Sequence, residues 1–243
     1  LIDRNLFERA ADVRWWSTDH ACWEALQSAT DGNFEEAAKR LGIINASYTM
    51  YRDLVIADSN GRIVANSKSE NRDKLKRMNV SEQSWFRQGM QISRSVQFGV
   101  QDVCNSELEN EETSLIYCGG ILENGQREGK VLGVLGIFFD WENLVSPILE
   151  GCLPRIKGKV VHGGAAFYVN DERKVIATTD HENFAIGQTV DLPNENLSLN
   201  AGESASGIFS ANDKKYIIGS SKTQGYREYE GLGWTAHVVR PID

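Results

Sequence analysis

A tryptophan and a phenylalanine, Trp85 and Phe86, open a short amphipathic segment (residues 81–88) that lies between two strand-rich regions. Two aspartates follow, Asp102 and Asp140, each beside a run that reads as a strand. An aromatic face with two carboxylates can hold a cation, through cation–π contact and charge-assisted hydrogen bonds. The same residues have plainer uses. A buried Trp is ordinary core, and Asp140, just before Trp141-Glu142-Asn143, is a good helix N-cap. An unpartnered carboxylate at the end of the nearly all-apolar run 130–139 would be costly. Capping and ligand binding both stay open at these aspartates.

Motifs of catalysis are absent. There is no GxSxG, HExxH, P-loop or nucleotide-binding glycine fingerprint. His20, His162, His181 and His237 have no partner at metal or triad spacing. Cys22, Cys104, Cys118 and Cys152 form no CxxC, so neither zinc nor haem is indicated. Cys104 and Cys118 flank an acidic, turn-like stretch, where a disulfide is one option and four reduced thiols the other. No enzyme, metal or cofactor is expected. A net charge of -8 argues against a nucleic-acid footprint, which needs clustered Lys and Arg. No run approaches the ~20 apolar residues of a membrane span. The chain opens at Leu1 inside a helical pattern, and is read as a segment of a longer protein.

The elements that must position these residues follow from periodicity. Ile2, Leu6, Ala10, Val13, Trp16, Trp23 and Leu26 form one helical face, which predicts a single helix of about 25 residues. Trp15 and Trp16, about 100° apart on it, are expected to pack on two faces. Thr30-Asp31-Gly32-Asn33 breaks the pattern, and Asn33 with Glu36 resembles a capping box for a second helix. Asn60-Gly61 between two apolar runs predicts a hairpin with a type I′ turn. Residues 95–103, 114–122 and 130–139 read as strands, the last of them central, and 141–149 as a helix. Gly119-Gly120 and Gly163-Gly164 are expected at strand bends or turns.

Beyond residue 157 the chain repeats itself. Residues 55–58 and 63–65 align without a gap onto 167–170 and 175–177, offset by 112 residues at both ends (Val55 to Phe167, Ala65 to Ala177). The second copy lacks a Trp-Phe segment and a strand-terminal Asp, so a ligand site belongs to the first. The fold class predicted is α+β: a long N-terminal helix and second helix (1–45), then tandem modules at 46–154 and 155–243.

This order of elements resembles the double Cache sensor domain, found outside the membrane in bacterial chemoreceptors, histidine kinases and diguanylate cyclases. The resemblance rests on the opening helix, the Asn60-Gly61-Arg62-Ile63-Val64 hairpin, the Trp85-Phe86 helix start, the Gly133-Val134-Leu135-Gly136 strand ending in Asp140, and the smaller second copy. It implies PAS-like modules with antiparallel sheets, a periplasmic domain of an inner-membrane protein, and a weak homodimer. In amino-acid-binding members a Tyr, an Arg-x-Trp-Tyr, a Tyr-x-Asp and a terminal Asp hold the ligand. Those positions fall on Met78, on Gln83 with Trp85 and Phe86, on Val100 with Asp102, and on Asp140. Tyr117 is counted with them as ligand-facing. Gln83 replaces the Arg that grips a carboxylate, while both aspartates on the ammonium side survive. The expectation is therefore a chemoreceptor sensor for a small amine, polyamine or quaternary ammonium; the alternatives are the ectodomain of a histidine kinase or diguanylate cyclase, a sensor of amino acids, purines or organic acids, and a partner-binding ectodomain with no small ligand. Organic acids require Arg52, Arg87 or Arg94 to reach the pocket.

Overall fold

A computed structural model of the chain describes every residue except Glu111, Asn212, Asp213 and Asp243, and describes Ala211 by its backbone alone. Glu111, part of the acidic stretch noted above, thus lies outside the described residues. The chain divides into two compact units, a larger one of Glu8–Trp141 and a smaller one of Leu1–Phe7 with Glu142–Asp243. Among the described residues no helix is long and apolar enough to cross a membrane.

The expected 25-residue helix is two. Helix α1 spans Ile2–Trp16 and α2 spans His20–Ser28. The break is local chemistry at Ser17-Thr18-Asp19. The Ser17 and Thr18 hydroxyls donate to the carbonyls of Arg14 and Trp15, and the Asp19 carboxylate caps α2 by accepting from the Ala21 amide at 3.0 Å. Trp16 is buried, but Trp15 is 77% exposed and packs on no second face. Helix α3 spans Asp31–Ala46 and begins before Asn33, because Thr30 is its N-cap and accepts from the Asn33 amide.

In the larger unit, β1 (Tyr51–Asp58), β2 (Ile63–Asn66), β3 (Gly99–Ser106), β4 (Glu112–Leu122) and β5 (Val131–Asp140) form one antiparallel sheet in the order β2-β1-β5-β4-β3. The apolar run 130–139 is the central strand, as its pattern predicts. Short helices α4 (Arg72–Leu75) and α5 (Ser84–Met90) belong to the connection from β2 to β3. The hairpin turn is not type I′. Gly61 takes φ 79°, Asn60 does not share a positive φ, and the Asp58 carboxylate accepts from the amides of Asn60 and Arg62. Gly119 and Gly120 lie inside β4 rather than at a bend. A Cβ on Gly119 would meet Ser17 at 3.0 Å, and one on Gly120 would meet Ile92 at 3.0 Å.

The smaller unit contains α6 (Trp141–Cys152, from Glu142), a two-stranded ribbon of β6 (Arg155–Ile156) and β7 (Lys159–Val160), and then β8 (Ala165–Val169), β9 (Val175–Thr178), α7 (Asn194–Leu197), β10 (Ser204–Ala211), β11 (Lys214–Lys222) and β12 (Thr235–Pro241). Its sheet order, β10-β11-β12-β8-β9, is that of the first sheet with each strand replaced by its counterpart. The repeat extends to register. Val55 pairs with Asn66 and Ala57 with Ile63 across a bulge; Phe167 pairs with Thr178 and Val169 with Val175 across the same bulge. Even the turn is reproduced, with the Asn170 side chain accepting from the amides of Glu172 and Lys174. Tandem PAS-like antiparallel modules are thus the architecture.

Candidate functional site

Side chains alternate across a strand, so register assigns each residue to a face. On one face of the larger unit's sheet, Val55, Ala57, Ile116, Cys118, Val134 and Phe138 pack with Trp85, Phe86, Leu75, Val80 and Leu108. Met78 and Met90 pack against the same cluster. Trp85 is fully buried and stands edge-on to Phe138, ring centroids 5.7 Å apart. Two glycines allow α5 to come this close. A Cβ on Gly136 would lie 2.8 Å from the Trp85 ring, and one on Gly89 would lie 2.3 Å from Val134. Trp85 is thus core, with one polar remainder: its indole N–H is buried without a hydrogen-bond partner.

The structure brings Met78, Trp85 and Phe86 together and sends two predicted residues elsewhere. Tyr117 lies between Ile116 and Cys118 and so points to the opposite face, where it stacks on Phe98. Val100 is its cross-strand partner and shares that face. The strand residue that meets Trp85 is Gln101, whose side-chain carbonyl accepts from the Trp85 amide at 3.0 Å. Gln83 occupies the N-cap position of α5 without a side-chain capping bond. Asp102 sits in the bulge of edge strand β3 and accepts from the Val103 amide. Strand β4 separates it from Asp140, about 9–10 Å at two strand spacings. Cys104 and Cys118 are both free thiols. Cys104 stands opposite Ser114 and Cys118 opposite Gly99, so the two are about 14 Å apart along the strands, beyond disulfide reach.

Asp140 follows Phe138 by two residues and points to the Trp85 face, beyond the aromatic cluster. Its carboxylate accepts from Arg52 at 3.0 Å, and both side chains are 14% exposed. Arg52 also pairs with Glu112, at the start of β4. Of the three arginines weighed from sequence, Arg52 is the one that reaches. Arg87 is on the surface, bonded to the Glu82 carbonyl, and Arg94 is exposed.

Around this pair lie groups that spacing did not single out. Asp53 is fully buried and structural, accepting from the amides of Leu54, Ser67 and Lys68 and from the side chains of Asn66 and Ser67. Glu109 ends a 3-10 turn that Lys74 pins through the carbonyls of Glu107 and Leu108. Burial, and then the Asp53 charge, push the Glu109 carboxyl up to about 7, against the pull of Lys68, Arg52 and Lys74. Glu109 Oε1, Ser114 Oγ and Arg52 Nε are buried without hydrogen-bond partners. Ser114 is the cross-strand partner of Asp140. The site thus offers carboxylate and hydroxyl acceptors around one guanidinium. It can hold an ammonium in place of Arg52, or a carboxylate on it. The only sequence signal for Glu109 and Glu112 was the acidic stretch that contains them.

No protein-family model matches the chain, and no curated protein matches it in sequence. Solved structures do match in fold. The sensor domain of the V. cholerae histidine kinase DctB aligns with a TM-score of 0.70 and 16% identity, over 100% of this chain and 92% of that one. The ligand-binding domain of the Pseudomonas aeruginosa amino-acid chemoreceptor PctB, in complex with L-Arg, gives 0.63 and 13%, over 100% and 89%. A domain of a Vibrio parahaemolyticus sensory box/GGDEF family protein gives 0.64 and 12%, over 99% and 91%. At these identities the likeness is one of fold. The chain has the tandem-module fold of Cache-type sensor domains of chemoreceptors and histidine kinases.

Proposed function

We propose that the chain is the extracytoplasmic sensor domain of a membrane-anchored, weakly dimeric chemoreceptor, and that its first module binds a small organic cation at the Asp140 end of the Trp85 face. Ligand binding there shifts the populations of two arrangements of the module. The observation that carries the reading is Arg52 bonded to both Asp140 and Glu112. Two carboxylates already gather on one cation, and an amine or quaternary ammonium of similar charge can take its place. The fold likeness to sensor domains supports binding over catalysis.

A second reading is an α-amino acid, favoured by the 3.0 Å contact itself. A zwitterion needs a cation and a carboxylate side by side, and Arg52 supplies the guanidinium missing at Gln83. Thermal-shift and calorimetric titration with choline, putrescine, L-alanine and succinate separates the cases. A ligand at 100 times Kd adds about 2.7 kcal/mol to stability. Stabilisation by choline or putrescine supports the cation, and by L-alanine alone the zwitterion. Stabilisation by succinate alone overturns both.

A further inference from the structure

Among the described residues of the larger unit, Glu109 is a buried carboxylate with an unmet hydrogen bond. It is 6% exposed, and one of its carboxyl oxygens has no partner. The turn that carries it is held from below by Lys74, whose ammonium bonds main-chain carbonyls and Asn110 rather than the Glu109 carboxylate. The charged groups that act on it are Asp53 and Arg52 on β1, Lys68 after β2, and Lys74 on α4. Native proteins pair buried polar groups, so a buried carboxylate oxygen without a partner calls for an explanation; Ser114 Oγ and Arg52 Nε, both at the Asp140 end of the sheet, are also without partners.

We infer that Glu109 is a ligand contact of this site, and that a cation binds tightly only to its ionised form. The inference rests on the cation reading above. Protonated, the Glu109 carboxyl is neutral: it keeps one carbonyl acceptor but has no charge to attract a cation. Ionised, it leaves a buried negative charge that a bound cation would neutralise. The receptor would then read cation concentration and acidity together, losing sensitivity as the medium acidifies.

The test is isothermal titration of the intact chain with choline and with putrescine, at about pH 5.5 and about pH 8.5. Choline is permanently charged, and putrescine, like the Lys side chain with its pKa near 10.4, stays protonated across the window, so any pH dependence belongs to the protein. If only the ionised form binds, the affinity rises about thirty-fold between the two pH values, in proportion to the competent fraction. Glu109→Gln is expected to bind weakly and equally at both. Equal wild-type affinity at the two pH values, or a Glu109→Gln chain that keeps the slope, overturns the inference and leaves the cation reading standing. Binding of neither probe at either pH ends both. Carboxyl carbon NMR of the wild-type chain gives a check without mutation. Saturating choline should move the Glu109 midpoint down by about one pH unit or more, a tenfold coupling, and an unmoved midpoint overturns the proposal.

Discussion

Arg52 places its guanidinium 3.0 Å from the carboxylate of Asp140 while bonding Glu112 as well, so that a strand-terminal aspartate suited to a ligand already has a cation of the chain's own. Arg52→Gln and Asp140→Asn therefore carry opposite expectations. On the cation reading, Arg52→Gln removes an internal competitor and tightens choline binding, about tenfold, while Asp140→Asn weakens it by a similar factor. On the amino-acid reading, both weaken L-alanine. Each substitution should also cost about 2 kcal/mol of stability, since each strands a partly buried charged partner. Calorimetry of the two variants with both probes distinguishes the outcomes.

The two units should respond to pH in opposite directions. Glu109 has its carboxyl raised to about 7 in the fold, so its contribution is full below the unfolded pKa near 4.5 and is lost as pH rises towards 7. His237, in the smaller unit, is 1% exposed and bonded at Nδ1 to Ser220, and burial pulls it down to about 4. Its contribution is present above about 6.5 and is lost as pH falls towards 4. Each effect is about 3 kcal/mol at most. Calorimetric scans from pH 4.5 to about 7.5 should show the melting of the larger unit falling and that of the smaller rising. Glu109→Gln should flatten the first trend and His237→Asn the second.

The repeated turn gives a matched pair. Gly61 at φ 79° has Arg173 at φ 62° as its counterpart. A Cβ at residue 61 would lie 2.6 Å from the Ser81 amide nitrogen, so Gly61→Ala should cost about 2–4 kcal/mol. Arg173 bears the left-handed strain with its side chain in solvent, and Arg173→Gly should be neutral or stabilise by up to about 1 kcal/mol. Urea unfolding of both variants measures the contrast.

Thiol reactivity should follow burial. Cys152 is exposed and Cys104 half-buried, whereas Cys22 and Cys118 are buried and burial raises both their pKa values, that of Cys118 to about 12. Ellman titration of the native chain is expected to modify Cys152 first and Cys104 slowly, with Cys22 and Cys118 reacting only in denaturant. A chain that shows two fewer thiols in denaturant after oxidation, with Cys104 lost from the native count, and regains both on reduction would show the Cys104–Cys118 disulfide that the register forbids.

Local pattern determined the tandem architecture. The 112-residue offset between Val55 and Phe167 survives as strand order, register and bulge, because alternation and turn chemistry act over a few residues and are repeated in the text of the chain. The central strand and the Trp85 helix start were legible for the same reason. Only the tertiary structure decided what the site contains. Tyr117 and Val100 lie on the far face because strand period is two and register sets its phase, which spacing from Trp85 does not reveal. Arg52 reaches Asp140 because β1 and β5, far apart in sequence, are neighbours in the sheet. Glu109 acquires its character from a desolvated position among charges drawn from β1, α4 and the β2–α4 connection. Residue type announced carboxylates and aromatics; which of them share a face, a partner or an unmet hydrogen bond is set by contacts between segments distant in the chain.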